Sequence, residues 1–334
     1  MDETQQALAR RMIHTPPEVA KLGLDAIKRM VENEHRAISI GVAGLRDYFA
    51  PLLPGEITVV MAQTSNFKTG FMDGWAHNVA MQFEQQERTE IIVMIHLEET
   101  VETQAHVAFA REMGADAGEL ARGKVKDWTK LQGAADRIGR IPIFRVSDSV
   151  ADDVGIENFH LSNIMNAVEL AADGALVGRP LKIGAMFVDY LQALPLDPTT
   201  LKFGMEESRR LQVRQDMYRL RDAAKRFDCP LVLGVQAKQH LDGALGLNML
   251  TPGVYDGEET SSIAQRADRI ISLWMPKQTH RVGQTIEHGE LRFQVDENLL
   301  FVRVCKQRGG LPAGKVFRCR INFATNNVAP EAGT

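Results

Sequence analysis

Lys68 and Thr69 stand where a phosphate could be held. They follow the short run ITVVMA (57–62) and open the stretch TGFMDGWAHNVAMQF, so they lie at a strand-to-helix junction that reads Ala62-Gln63-Thr64-Ser65-Asn66-Phe67-Lys68-Thr69-Gly70. In the phosphate-loop pattern G-x-x-x-x-G-K-[ST], backbone N–H groups and the helix N-terminus cradle the phosphates. The lysine reaches the outer phosphates, and the hydroxyl helps to hold magnesium. The candidate nucleotide-binding residues are therefore Thr64, Ser65, Asn66, Phe67, Lys68, Thr69 and Gly70. Two positions depart from the pattern, with Ala62 at the first glycine and Phe67 at the second. A side chain at the second position meets the phosphate, or else resists the backbone conformation that glycine adopts at low cost. The competing reading is an ordinary turn between a strand and a helix.

About 120 residues further on, the apolar run Ile183–Val188 ends in Asp189. A carboxylate at the carboxyl end of a buried strand is suited to anchor magnesium beside the phosphates, with Thr69 as the second metal-side residue. An aspartate closing a strand in a turn is the plainer alternative.

These residues need a scaffold that brings strand ends together. ITVVMA (57–62), EIIVMIH (90–96), IPIFRV (141–146), IGAMFVD (183–189), PLVLGVQ (230–236) and RIISLW (269–274) read as buried strands. Amphipathic stretches with three-to-four-residue apolar spacing separate them. Such alternation predicts an α/β fold with a mostly parallel central sheet flanked by helices. Beyond residue 290, LRFQV, LLFVRVC and KVFRCRINF predict an antiparallel edge extension near the C-terminus. The first 35 residues read as a helical arm, broken at Thr15-Pro16-Pro17, that packs either on its own domain or on a neighbouring subunit; residues 36–334 form the main domain. The segment 241–262 reads as a loop.

The 334 residues are 44% hydrophobic and 25% charged, enough for a large core, and carry a net charge of −4. That charge excludes a surface that attracts polyanions everywhere, so any nucleic-acid contact must be local. Cys229, Cys305 and Cys319 have no metal-site spacing and sit in apolar runs, which predicts neither disulfide nor zinc and suits a reducing cytosol. No window approaches the roughly 18 apolar residues of a membrane span, and the start lacks a signal peptide's apolar segment.

With these motifs in hand, the chain resembles the motor domain of DnaB-type replicative DNA helicases, a RecA-like P-loop ATPase. Val188-Asp189-Tyr190-Leu191-Gln192 is similar to the family's I-D-Y-L-Q, and Leu52-Leu53-Pro54-Gly55-Glu56 to its L-x-P-G-[DE]. His96-Leu97-Glu98-Glu99 resembles S-L-E-M, and Leu233-Gly234-Val235-Gln236 the end of a strand in L-S-Q. Ser262-Ile263-Ala264-Gln265-Arg266-Ala267-Asp268 is similar to S-I-E-Q-D-A-D, and Val304-Cys305-Lys306-Gln307-Arg308-Gly309-Gly310 to A-K-Q-R-N-G. Ala62 is familiar in such loops, whereas Phe67 is not. The match runs from about residue 38 to 325, with no primase-facing domain ahead of it.

The resemblance implies ATP and Mg2+ as cofactors and a hexameric ring that passes single-stranded DNA through a central pore. A loader or primase is the implied partner, and the cytosol of a bacterium or phage-infected cell the location. It implies Glu98 as the base, at the end of the strand beside the phosphate loop, and Gln236 as the sensor of the terminal phosphate. Lys68 contacts the phosphates, and Arg308 is the arginine finger, with Lys306, in the neighbouring subunit's site. The DNA contacts fall on Lys202, Arg209, Arg210, Lys238, Gly257, Glu259, Thr260 and Ser261, while Glu258 stands where the family often has a basic residue. Two other classes remain open. One is a nucleotide- or DNA-binding ring with little hydrolysis, favoured by Phe67; the other is a recombinase-like or KaiC-like ATPase.

Overall fold

The computed structural model describes residues 15–32, 38–40, 42, 45, 48, 49, 51–147, 159–195, 205–238, 251–258, 261–288, 291–308 and 312–331. Contacts divide the chain into two compact units, Met1–Ile38 and Ser39–Thr334. In the first, α1 (Pro16–Glu32) begins at the pair of prolines rather than breaking there. Proline lacks the N–H that a first helical turn leaves unbonded, and its φ is already helical. The N–H and hydroxyl of Thr15 both donate to Glu18 Oε2, at 2.7 and 2.9 Å, and close the turn.

The second unit is built on a nine-stranded sheet. Six strands are parallel: β1 (Ile57–Ala62), β2 (Ile91–His96), β3 (Ile143–Ser147), β4 (Ile183–Asp189), β5 (Leu231–Gln236) and β6 (Arg269–Trp274). They lie in the order β3-β2-β4-β5-β1-β6. Three more strands, β9 (Leu299–Gln307), β10 (Val316–Asn322) and β11 (Asn327–Pro330), continue from β6 in antiparallel fashion, which is the expected edge extension. The segment around Phe293 does not join this edge. It forms a separate hairpin, β7 (Thr285–His288) with β8 (Leu291–Gln294), closed over Trp274 and Phe301 by Phe293.

β1, β2, β4 and β6 are buried along their whole length, as continuous apolar runs flanked by helices on both faces should be. On one face, Ile57, Val59 and Met61 pack with α6 (Leu161–Ala172) and α7 (Met205–Arg226) through Ile164, Val168, Val213 and Met217. On the other lies α2 (Lys68–Gln85), where Trp75 meets Phe187 edge-on at 5.9 Å. Beyond β2 the chain adds α3 (Val101–Met113), α4 (Ala117–Ala121) and α5 (Trp128–Ile138), which share a small core of Met113, Leu120 and Ala134. The short α8 (Ser262–Arg266) leads into β6. All three cysteines are free. No described helix is long and apolar enough to cross a membrane.

The topology corrects one expectation. β2, which leads to Glu98, does not flank β1; β5 and β4 lie between them. The strand beside the phosphate loop is β5, with Ala62 level with Gln236, while His96 at the end of β2 is level with Asp189 of β4.

Candidate functional site

Because the six strands run the same way, their carboxyl ends open onto one edge of the sheet, and a cleft of about 510 Å³ lies there. Thr64, Ser65, Phe67, Lys68, Thr69 and Gly70 form one wall. Glu98, Tyr190, Gln236 and Glu258 come in from three other strand ends, and Met275, Lys277 and Phe323 close the far side. Asn66 of the loop is instead buried. Its Oδ1 accepts from the Met275 N–H at 2.7 Å and its Nδ2 donates to the Thr64 carbonyl at 3.0 Å, so its side chain fastens the loop to the end of β6.

The loop keeps the backbone shape of the glycine pattern without the glycine. Phe67 sits at the N-cap of α2 with φ 64 and ψ 21, the left-handed region, and Ser65 also has φ 64. The Phe67 ring turns back over the first turn of α2 and meets Phe323 edge-on at 5.6 Å.

At the cleft floor the Lys68 ammonium is ion-paired with Asp189 Oδ1, both groups being buried, and lies 4.0 Å from the centre of the Tyr190 ring. The Tyr190 hydroxyl is hydrogen-bonded to Glu98. Burial first, then the Glu98 charge and that hydrogen bond, push the phenol up to about 12, so Tyr190 stays a neutral donor. Glu98 itself is exposed to the cleft. Next to it, burial and the nearby Asp189, Asp73 and Glu98 carboxylates raise Glu99 above the usual glutamate range.

Gln236 reaches across to the loop, donating from Nε2 to Thr64 Oγ1 at 2.7 Å. Its backbone is clamped by Gln192, whose Oε1 accepts from the Gln236 N–H at 3.0 Å and whose Nε2 donates to the Gln236 carbonyl at 3.2 Å. Arg209 in turn donates to the carbonyls of Gln192 and Leu194, at 2.6 and 2.7 Å.

The basic hairpin end is elsewhere. The Arg308 guanidinium pairs with Asp268 Oδ1 at 2.8 Å, and the Lys306 ammonium donates to the carbonyls of Ala264 and Ala267, both at 2.7 Å. Asp268 Oδ2 accepts from the Ile57 N–H at 2.9 Å, so this group marks the start of β1. The six residues of β1, at about 3.3 Å each, put roughly 20 Å of strand between it and the loop. Burial and the Arg308 charge lower the Lys306 ammonium below the ordinary lysine value.

A family model, the DnaB-like helicase C terminal domain, matches residues 37–327. The chain belongs to that family. Its fold is shared by a solved helicase ATPase domain, at 17% identity and TM-score 0.70, with 93% of this chain and 98% of that one covered. A structure titled as a DnaB-like replicative helicase and its interactions with primase matches at 17% identity and TM-score 0.68, with 92% and 66% covered. A KaiC-like protein, PH0186 of Pyrococcus horikoshii OT3, matches at 13% identity and TM-score 0.52, with 88% and 98% covered. Curated protein sequences give no match.

In this DnaB-like domain the residues expected to contact DNA separate. Lys202, Glu259 and Thr260 fall outside the described residues. Arg209 is half-buried and braces the turn after β4, whereas Arg210, Lys238 and Ser261 are exposed. Gly257 is buried and bridged to Ala237, which carries Glu258 to the nucleotide-side cleft rather than to a DNA-facing loop. Sequence reasoning passes over Tyr190 and Gln192, although both lie within the five-residue motif that carries the resemblance. It also passes over Asp73, a charge on a face of α2 that is otherwise buried and apolar. Asp73 pairs with Arg111 at 2.6 Å and with Arg145 at 3.7 Å.

Proposed function

We propose that this chain is an ATP-driven DNA-helicase motor that assembles into a hexameric ring, hydrolyses ATP between adjacent copies and moves on single-stranded DNA. One observation carries the reading. Lys68, Thr69, Glu98 and Gln236 converge on one cleft, while Lys306 and Arg308 stand at the opposite end of the same sheet. A site that needs both sets is completed only by a second copy.

Thr69 and Asp189, a hydroxyl and a carboxylate, are the kind of oxygen donors that would hold the magnesium of a bound nucleotide. Magnesium–ATP, when bound, supplies the phosphoanhydride to be cleaved and offsets its charge. Backbone N–H groups of the loop bind the phosphates, and Lys68 exchanges Asp189 for phosphate oxygen. Glu98 orients a water and takes its proton, with Tyr190 holding the carboxylate in place. Gln236, held by Gln192, hydrogen-bonds the terminal phosphate and couples its loss to the loop through Thr64. Arg308 of an adjacent copy neutralises charge developing on the phosphoryl group. The rival reading, a ring that does not hydrolyse ATP, rests on Phe67 obstructing the loop, and the aromatic ring's position over α2 argues against that obstruction. A loader or primase remains the partner class for such a motor.

ATP turnover by the whole chain, measured with and without single-stranded DNA, tests the reading. Turnover stimulated severalfold by the DNA, together with unwinding of a forked duplex, is expected; absence of turnover in both conditions would overturn it. Tyr190→Phe keeps the ring beside Lys68 but frees Glu98 from its donor. It should lower kcat about tenfold, the worth of a single good hydrogen bond to a charged group, with KM little altered. An unchanged kcat would remove Tyr190 from the mechanism.

A further inference from the structure

α2 carries two glycines one turn apart, Gly70 and Gly74, in a helix that would be better formed with alanine at both. Both are covered by something that needs the missing side chain. A methyl group built on Gly74 would lie 3.0 Å from the Asn326 carbonyl carbon, in the turn between β10 and β11. One built on Gly70 would run into the Phe67 ring, 2.8 Å from Cζ and 2.9 Å from Cδ2. On its other side the ring is backed by Phe323, from that same turn, and Lys277 Nζ lies 4.7 Å from the Phe323 ring centre.

We infer that Phe67 is a positioning residue of the phosphate loop, seated on Gly70 and stopped by Phe323, so that the loop's need for glycine has moved from position 67 to position 70. This rests on the nucleotide-binding reading of the cleft. The ring is the part of Phe67 able to reach the phosphates, and its seat keeps it off them. With the ring pinned, the left-handed backbone at Phe67 is held by packing instead of by the freedom of glycine. A side chain at position 70 closes the seat. Since Phe323 blocks one way out, the ring is then driven toward the cleft that it shares with Lys68 and Thr69.

The test compares the whole chain with Gly70→Ala, Phe67→Gly and the double variant, titrating magnesium–ADP by calorimetry and recording the melting temperature of each. Gly70→Ala alone should weaken magnesium–ADP more than tenfold, and adding Phe67→Gly should bring affinity back to within about threefold of the Phe67→Gly protein, because the methyl group then meets no ring. Melting temperatures should follow the same coupling, with Gly70→Ala lowering the midpoint when Phe67 is present and raising it when glycine replaces Phe67. Equal losses in both backgrounds, or no loss in Gly70→Ala, overturn the seat while leaving nucleotide binding standing. A natural chain that binds no magnesium–ADP overturns the nucleotide reading and this inference with it.

Discussion

Arg308→Ala gives a folded protein that binds ATP and turns it over about a thousandfold more slowly, the loss typical of a missing arginine finger. Folding survives because Arg308 is more than half exposed and Asp268 keeps two other partners, Arg221 at 2.7 Å and the Ile57 N–H at 2.9 Å. An exposed pair of this kind contributes about 1 kcal/mol or less. Within one chain, strand β1 separates Arg308 from Lys68, so an effect of this size on chemistry requires that the guanidinium serve a second copy.

Mixing variants makes that requirement visible. Glu98→Gln removes the base from the cleft side and leaves the hairpin intact; Arg308→Ala does the reverse. Each protein alone should be inactive, but a ring assembled from both contains interfaces where an intact cleft faces an intact hairpin. With equal amounts and random assembly that is about one interface in four, because each interface is heterologous and takes one surface from each neighbour. Measurable turnover reappearing on mixing is the expected result. A mixture no more active than its parts, or an Arg308→Ala protein with full turnover, would confine the site to one chain and remove the ring from the mechanism.

What can be read without coordinates depends on how locally each feature is encoded. The six parallel strands are short Val- and Ile-rich runs buried on both faces, and their pattern is visible within each run. The hairpin of Thr285–His288 with Leu291–Gln294 is only half legible, because Thr-Ile-Glu-His is too short and polar to stand out; what buries it is Phe293 against Trp274, a contact made in three dimensions. At the site, Lys68, Thr69 and Asp189 are recognisable by type and spacing. Their neighbours along the chain are not. Tyr190 and Gln192 look like ordinary strand-end residues until the order β2-β4-β5-β1 places Tyr190 beside Glu98 and Gln192 against Gln236. Phe67 is the sharpest case, since the pattern flags it as a defect, whereas the space it needs lies three residues away at Gly70.

Arg111→Ala should destabilise the chain by about 3–5 kcal/mol, as removing one partner of a buried ion pair does. In a domain of this size that lowers the melting temperature by roughly 10 °C. Asp73 is buried beneath the first turns of α2 and takes 2.6 Å from Arg111, with Arg145 behind at 3.7 Å. Burial alone would raise its carboxyl, but the two guanidinium groups outweigh burial and hold it below the ordinary aspartate value. A carboxyl lowered in the folded state stabilises the fold above its unfolded pKa, and that contribution fades as pH falls through the folded value. Without Arg111 the main counter-charge is gone and burial dominates, so the carboxyl rises and the folded state then gains by taking up a proton. The stability gap between the natural chain and Arg111→Ala should therefore be widest near neutral pH and narrow steadily on acidification toward the carboxylate range, measured by urea unfolding across that interval. A gap that stays constant or widens on acidification would show that Arg111 acts through its 2.8 Å bond to the Thr325 carbonyl instead of through Asp73. Either way the loss reaches the cleft, because that same turn carries Phe323, which backs Phe67, and Asn326, whose carbonyl lies on Gly74 of the helix that begins at Lys68.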